Sequence, residues 1–329
     1  MKAIIPVAGF GTRLRPFTLT NPKVLLNVAG KPMIYFIVEQ LIKEKIVDEI
    51  IFITGYLGDK FEDYIKKTFD FNFKFIVQDE PKGLGHAIHC AKKGFQTNED
   101  ALIILGDTLF DVDLKKLTDN PKSVISIKEV DDPRRFGVVE KNEAGEITRL
   151  IEKPASKEVS PSNEAIVGIY YLKNSDKLFE ALDHVIDNNI MVKGEIQLTD
   201  ALEYMLSTQK EKMTTFPLKG WLDCGKPETM LETNRYLLTI MDRKYAFDKD
   251  VKIIHPVFIG KNVKIHNSII GPYATINDNC TISNSKIHDS IINSHTTITD
   301  SVLHESLIGE HCKVDNQSKK LYLGEYSEI

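Results

Sequence analysis

A chain of 329 residues is long enough to bury one full-sized core and carry a second, smaller domain, because single cores stop growing at around 250 to 300 residues. Hydrophobic residues at 42% and charged residues at 27% match ordinary globular proteins, which excludes the disordered, collagenous and disulfide-dense classes. A net charge of −5, with Lys and Arg scattered among acidic residues, offers nothing to neutralise a nucleic-acid backbone, so no nucleic-acid partner is expected.

Residues 1–10 hold a short apolar run that breaks at Gly9, unlike a signal peptide, and no stretch approaches the ~20 apolar residues of a membrane span. A cytoplasmic protein with no membrane partner is the expectation. Strands are expected at residues 2–7, 49–54, 73–78 and 101–105, alternating with helices at 32–45 and 85–93. That alternation is the signal of crossover helices over a mainly parallel sheet. Residues 136–152 read as an antiparallel hairpin around 142–145, with a strand at 164–172, and this section looks like an insertion beside the sheet. Helices follow at 175–187, 197–207 and 227–243, with a strand at 213–217 between them.

After Lys249 the chain repeats. Ile276, Ile292 and Ile308 are spaced by 16, as are Ile282, Ile298 and Val314, and Ile287 and Leu303 keep the same interval. Within a block the apolar residues step by five, five and six, as if one side chain per short strand pointed into each face of a triangular tube. The segments IGPYATI (270–276) and IGEHCKV (308–314) resemble the hexapeptide-repeat left-handed β-helix. The expected fold class is therefore α/β with a small C-terminal left-handed parallel β-helix: a larger α/β domain at 1–245 and the β-helix at 250–329. Cys90, Cys224, Cys280 and Cys312 form no C-x-x-C pair and read as reduced, structural thiols.

Three motifs carry chemistry. AGFGTRLRPFTLTNPK (8–23) follows a strand directly. Gly9 and Gly11 let the backbone approach a polyphosphate and aim N–H groups at it, while Arg13 and Lys23 supply cations. A Gly-rich loop is by itself most often a plain turn, and this one lacks the Rossmann and Walker patterns. Next, Asp107 in LGD ends a buried-looking strand, where open α/β sheets bind ligands, and Asp223 in GWLDCG ends another. Two carboxylates from distant parts of the chain suit one Mg²⁺ held against phosphate oxygens, although each alone reads equally well as a cap or turn residue. Finally, in QDEPKGLGHA (78–87) the Gln78 amide offers a donor and an acceptor to a pyrimidine edge, and Gly83 and Gly85 let backbone lie against a base. The same stretch also reads as the turn into the helix from Gly85.

G-x-G-T-R-L-R-P followed by P-K resembles the signature of the sugar-1-phosphate nucleotidyltransferases, of the bacterial uridylyl- and thymidylyltransferase type, and the ordered motifs extend the resemblance over roughly the first 240 residues. It implies a Rossmann-like α/β sandwich in which Ala8, Gly9, Gly11, Thr12 and Arg13 wrap the triphosphate. Arg13, Lys23 and Asp107 are then the catalytic residues, and Asp107 and Asp223 hold Mg²⁺. Gln78, Pro81 and Gly83 would read uracil or thymine. EKP (152–154), AIVG (165–168) and GEIQLTD (194–200) follow in the family's order. This order implies a sugar-phosphate site made of Gly137, Glu152, Lys153, Val167, Glu195 and Trp221, with Lys153 on the phosphate and Glu152 with Gly137 on the hydroxyls. Without the resemblance, Glu152 and Lys153 are a solvated charge pair.

The implied reaction joins a nucleoside triphosphate to a sugar 1-phosphate: a phosphate oxygen attacks the α-phosphate in line and pyrophosphate leaves, with no covalent nucleophile on the protein. Ala8 stands where the thymidylyltransferase loop has Gly, and GLGHA and GEIQLTDAL favour the uridylyl type, while RLRPFTLTNPK and GWLD favour the thymidylyl type. UTP with glucose 1-phosphate is the first expectation and dTTP the next. An inactive regulatory subunit is set against the joint presence of Arg13, Lys23, Asp107, Lys153 and Asp223. Acyl transfer by the β-helix is disfavoured by a tail of about four coils without a long inserted loop. Exposed solenoid edges point to a homo-oligomer, a dimer or tetramer.

Overall fold

The computed structural model describes residues 1–241, 244–247 and 249–329. Asp242 and Arg243, the end of the helix expected at 227–243, and Asp248, in the expected linker, lie outside the described residues. Contacts divide the chain into two units: Met1–Gly9, Ile37–Gly106 and Phe110–Trp221 form the first, and Phe10–Phe36, Asp107–Leu109 and Leu222–Ile329 the second.

The first unit is built on a nine-stranded sheet. Its strands are β1 (Lys2–Pro6), β2 (Glu49–Thr54), β3 (Phe73–Val77), β4 (Ala101–Ile104), β5 (Ser123–Glu129), β6 (Gly137–Lys141), β7 (Ile147–Glu152), β8 (Glu164–Leu172) and β9 (Met213–Pro217). The order is β7-β6-β8-β4-β1-β2-β3, with β5 on β8 and β9 on β5. The run β4-β1-β2-β3 is parallel; β4, β1 and β2 are almost wholly apolar, as strands covered on both faces must be, and β3 at the edge is half-buried. The hairpin β6–β7 is not an insertion beside this sheet. It extends it, because the nine-residue β8 is buried along its length and pairs antiparallel with β4, β5 and β6. The sheet is thus mixed: β4-β1-β2-β3 is parallel, the pairs made by β8 and the β6–β7 hairpin are antiparallel, and β9 lies parallel to β5.

Alternation along β2 sends Ile51 and Ile53 to one face and Phe52 to the other. On the first face Ile51, Ile53, Ile103 and Tyr170 share a core with residues of three helices, α3 (Leu84–Cys90), α5 (Ser175–Asp187) and α6 (Leu198–Ser207). On the second, Phe52 meets Phe61 of α2 (Gly58–Thr68) edge-on, with ring centroids 4.9 Å apart. Asn174 caps α5 by accepting a hydrogen bond from the Asp176 N–H at 3.0 Å. The remaining helices are α1 (Met33–Glu44), which carries the chain from the second unit into the first, α4 (Leu114–Thr118), and α7 (Pro227–Ile240) in the second unit, opened by proline at its first position.

The second unit contains the β-helix. Short strands stack in parallel into sheets of five, five and four, making four full coils and part of a fifth, a left-handed β-helix of the hexapeptide type. The register sets Ile276 beside Ile292 and Ile292 beside Ile308, and aligns Ile282, Ile298 and Val314 in the next sheet. These isoleucines line the interior. One corner column, Asn262, Asn279, His295, His311 and Tyr326, has left-handed backbone at every coil, a conformation asparagine tolerates best among non-glycine residues. The outer face of one sheet is also buried: Phe258 packs over Gly30, and Thr275 and the Ala29 N–H both bond the Asn234 carboxamide oxygen of α7, at 2.6 and 2.8 Å. Asn27 bonds Asn293 at 2.9 Å. The loop that begins at Phe10 is therefore bonded to the β-helix.

Candidate active site

The phosphate-loop candidates divide at Gly9. In the first unit Ala8 packs on Gly55, and a Cβ on Gly9 would meet nothing within 4 Å. Packing therefore does not require glycine at position 9. In the second unit Gly11 is left-handed (φ 62), and a Cβ there would lie 2.9 Å from Thr18 Cγ2 and 3.0 Å from Lys23 Cβ. Here glycine is needed twice, for the backbone and for the space. The turn that follows, Thr12–Leu14, is pinned by buried Leu14 and leaves Thr12 and Arg13 exposed.

Lys23 and Asp107, 84 residues apart, form an ion pair: the ammonium lies 2.5 Å from Asp107 Oδ2. The lysine side chain is 9% exposed, whereas that of Asp107 is 40% exposed. Asp223 ends strand Gly220–Asp223, which pairs with Thr108–Asp111 just after Asp107, and the Cys224 N–H between the two sites donates to the Asp107 carbonyl at 3.3 Å. Asp223 Oδ1 accepts from the Gly225 N–H at 2.9 Å. A Cβ on Gly225 would lie 2.9 Å from Asp223 Oδ1 and 3.0 Å from Arg13 Nη2, so that guanidinium and carboxylate border the same small space. Burial pushes the Cys224 thiol up to about 12, against a hydrogen bond to Thr233, so the thiol stays protonated and inert. The four expected residues, Arg13, Lys23, Asp107 and Asp223, are thus brought together.

Among the described residues no group of three His, Cys, Asp or Glu side chains is placed to hold a metal. A pair of carboxylates is a different donor set. It suits Mg²⁺, which keeps waters and takes its remaining oxygens from substrate phosphates, and Asp107 already faces a cation, the Lys23 ammonium.

The base candidates lie in the first unit. Gln78 follows β3 and is 8% exposed. Its amide nitrogen lies 3.2 Å from the Gly83 carbonyl and 3.0 Å from His86 Nδ1. Gly83 has φ +98, and a Cβ there would sit 2.7 Å from the Ile196 carbonyl oxygen and 2.9 Å from Glu195 Cβ. The turn is bonded on both sides, Gly85 N–H to the Ile196 carbonyl at 2.9 Å and Ile196 N–H to the Lys82 carbonyl at 2.8 Å. Pro81 is exposed at its tip. The turn at 81–85 and the segment around Ile196 are therefore bonded into one structure.

Among the residues expected at the sugar phosphate, Glu152 Oε1 meets Lys153 Nζ at 2.8 Å and Oε2 accepts from Thr199 Oγ1 at 2.8 Å. A Cβ on Gly137 would lie 3.0 Å from Glu152 Oε2, so glycine leaves that carboxylate its room. Lys153 is left-handed (φ 47), held by its N–H to the Phe136 carbonyl at 3.0 Å, and Trp221 meets the Phe136 ring edge-on at 5.1 Å. Glu195 is exposed and accepts from Gln197 Nε2 at 3.3 Å. Val167 is buried in β8 beside Gly168, so what it can offer a ligand is its backbone.

Two residues of this group were quoted within GEIQLTD without a role. Thr199 orients Glu152, and Asp200 has an Oδ2 buried without a hydrogen-bond partner, its carboxyl pushed up by burial and by Glu152. A polar Thr-Asp pair in the first turn of an amphipathic helix was the available signal.

Residues 2–240 match the family described as nucleotidyl transferase. The chain is 35% identical over 271 residues to the bifunctional protein GlmU of Methanococcus maripaludis, covering 82% of this chain and 61% of that protein. Against the low-salt glycan biosynthesis nucleotidyltransferase Agl11 of Haloferax volcanii it is 30% identical, covering 89% and 87%. Against a glucose-1-phosphate thymidylyltransferase of Streptomyces griseus it is 27% identical, covering 99% and 98%. It therefore spans about three fifths of the length of that GlmU and nearly all of the thymidylyltransferase. Among solved structures, UDP-glucose pyrophosphorylase complexed with UDP-glucose superimposes with a TM-score of 0.61 at 28% identity, covering 72% of this chain and 98% of the other. The UTP-bound enzyme of Acinetobacter baumannii gives 0.59 at 25%, covering 72% and 92%.

Proposed function

Because this chain belongs to the nucleotidyl transferase family, we propose that it joins a pyrimidine nucleoside triphosphate to a hexose 1-phosphate, releasing pyrophosphate and an NDP-sugar. UTP and glucose 1-phosphate are the substrates of first choice and dTTP is the next. The observation that carries this reading is the grouping of Arg13, Lys23, Asp107 and Asp223, two cations and two carboxylates around one glycine-lined turn.

A phosphate oxygen of the sugar phosphate attacks the α-phosphorus in line, and the bond to pyrophosphate breaks as the new one forms. The chain's task is to position the reactants and oppose the charge that builds on the α-phosphate oxygens. Lys23 and Arg13 supply that opposition, and the backbone of the 8–13 loop receives the triphosphate. Asp107 and Asp223 would hold Mg²⁺, which neutralises phosphate charge when bound. Lys153 meets the sugar phosphate, and Glu152, aimed by Thr199, accepts from sugar hydroxyls. UTP as first choice is supported by the likeness to UDP-glucose pyrophosphorylase, and dTTP as the next by the full-length thymidylyltransferase relative.

The test is pyrophosphate release with Mg²⁺, each common nucleoside triphosphate and a panel of sugar 1-phosphates. Turnover with UTP and glucose 1-phosphate is expected. Release with no pair would overturn the reading in favour of an inactive nucleotide-sugar-binding subunit.

A further inference from the structure

The Gln78 side chain has one amide nitrogen with two N–H bonds and one oxygen. Both N–H bonds are committed within the chain, one to the Gly83 carbonyl at 3.2 Å and the other to His86 Nδ1 at 3.0 Å. The Gly83 carbonyl cannot retreat, because its turn has a backbone only glycine adopts easily and is bonded to Ile196 on both sides. His86 sits in α3, one turn beyond Gly83. To accept from Gln78 its Nδ1 must carry no proton, so the ring is the neutral tautomer protonated at Nε2. Its surroundings favour that state: burial, then Lys82 and His89, hold the imidazole below its ordinary value, opposed by the Glu80 carboxylate and a backbone bond at Glu80. Gln78 Oε1 makes no hydrogen bond to the described residues, and it is not among the buried polar atoms left without a partner.

We infer that His86 is a positioning residue for base recognition: with the Gly83 carbonyl it occupies the whole amide nitrogen of Gln78 and leaves the oxygen, a pure acceptor, to meet the base. An acceptor requires an N–H on the edge of the base. Uracil and thymine offer N3–H, whereas cytosine offers an unprotonated N3 whose lone pair would face the oxygen. The arrangement therefore selects uracil or thymine over cytosine, and it rests on the reading of the chain as a pyrimidine nucleotidyltransferase. When His86 gains a proton, Nδ1 becomes a donor opposed to the Gln78 N–H. Either orientation of the amide then leaves one clash, N–H against Nδ1–H or Oε1 against the Gly83 carbonyl, so the orientation is no longer enforced and the preference weakens. Lys82, His89 and Glu80 are the charged and titratable groups that face the ring.

The experiment is the ratio of kcat/KM for UTP to that for CTP, measured from pH 5 to 8 in the wild type, His86→Ala and His86→Asn, with the ratio of dissociation constants read by calorimetry alongside. A ratio cancels the titration of the phosphates, which both nucleotides share. In the wild type the ratio should fall at the acid end of this range, below the ordinary imidazole value, as His86 gains its proton. His86→Asn keeps an acceptor that does not titrate and should hold the ratio high and flat, while His86→Ala should lower it at every pH. An alanine variant that keeps the wild-type ratio, or an asparagine variant whose ratio falls with pH as the wild type's does, overturns the role of His86. Should His86→Ala fail to fold, the asparagine variant and the wild-type profile decide alone. If the wild type binds UTP over CTP in this pattern yet releases no pyrophosphate, the transfer reading falls and the role of His86 stands. Binding of neither nucleotide sinks both.

Discussion

The Lys23 ammonium lies 2.5 Å from Asp107 Oδ2, and of the two side chains only the carboxylate is substantially exposed. A lysine so enclosed is held by its surroundings to one position, and that position is beside the turn at Gly11. Lys23→Met keeps most of the methylene packing and removes the charge. Its kcat should fall about 10²- to 10³-fold, the cost of losing one charge-opposing group in a preorganised site. Asp107, being 40% exposed, can be hydrated, so the fold should survive. Turnover and thermal melting measured together check this, and a variant within threefold of wild type would remove Lys23 from the reacting centre.

How far these relationships could be read from the sequence depends on their range. The β-helix was legible because each coil repeats its neighbour, so Ile276, Ile292 and Ile308 declare one stack. Strand β5 (SVISIKE) went unread because two of its buried positions are serines; Ser126 is satisfied there by the Ile169 carbonyl at 2.8 Å. Helix α2 was missed for the opposite reason, since only Phe61 and Ile65 of its eleven residues are buried. Arg13, Lys23, Asp107 and Asp223 come from separate motifs and lie together in the fold, yet Gln78–His86 and Glu152–Thr199 are bonds between side chains, and spacing alone does not reveal them. Likewise nothing local in residues 10–36 announces Asn27 bonded to Asn293 or Gly30 beneath Phe258.

Thr199→Val removes the hydroxyl that bonds Glu152 Oε2 at 2.8 Å while keeping the shape of the side chain. Glu152 then loses its aim, not its charge. The KM for the sugar 1-phosphate should rise about tenfold, the effect of one hydrogen bond to a charged group, with the KM for the nucleotide unchanged. Steady-state kinetics with each substrate varied in turn would check the split, and an equal rise in both constants would place Thr199 outside the sugar group.

Asp100 accepts from the Tyr171 hydroxyl at 2.7 Å and the Asn174 N–H at 3.1 Å, and pairs with Lys173 at 3.2 Å. Burial pushes its carboxyl up, but those bonds outweigh it and the net direction is downward. A carboxyl lowered in the folded state stabilises the fold above its unfolded value, near 3.9, and the contribution is lost as pH falls through the folded value. Asp100→Asn should therefore lower the melting temperature at pH 7 by about 2 °C or more, and the gap should close as pH falls below about 4. Melting curves across that range would show it, and a gap independent of pH would refute the charge-based account.

Gly225 and Gly30 make opposite predictions from the same substitution. A Cβ on Gly225 would meet Asp223 Oδ1 at 2.9 Å, Arg13 Nη2 at 3.0 Å and Asp223 Oδ2 at 3.1 Å, all far ends of flexible side chains, and the backbone there is not left-handed. Gly225→Ala should therefore fold with a melting temperature within about 2 °C of wild type, while the displaced carboxylate and guanidinium lower kcat about tenfold to a hundredfold. At Gly30 the backbone is left-handed (φ +85) and a Cβ would lie about 2 Å inside the Phe258 ring contact, with 2.2 Å to its nearest carbon. Gly30→Ala should lose several degrees of melting temperature, because a buried ring and a strained backbone must both give way. Turnover and melting of the two variants, measured side by side, separate a glycine kept for the site from one kept for the fold. A Gly225→Ala protein of full activity would dissolve the proposed juxtaposition of Arg13 and Asp223.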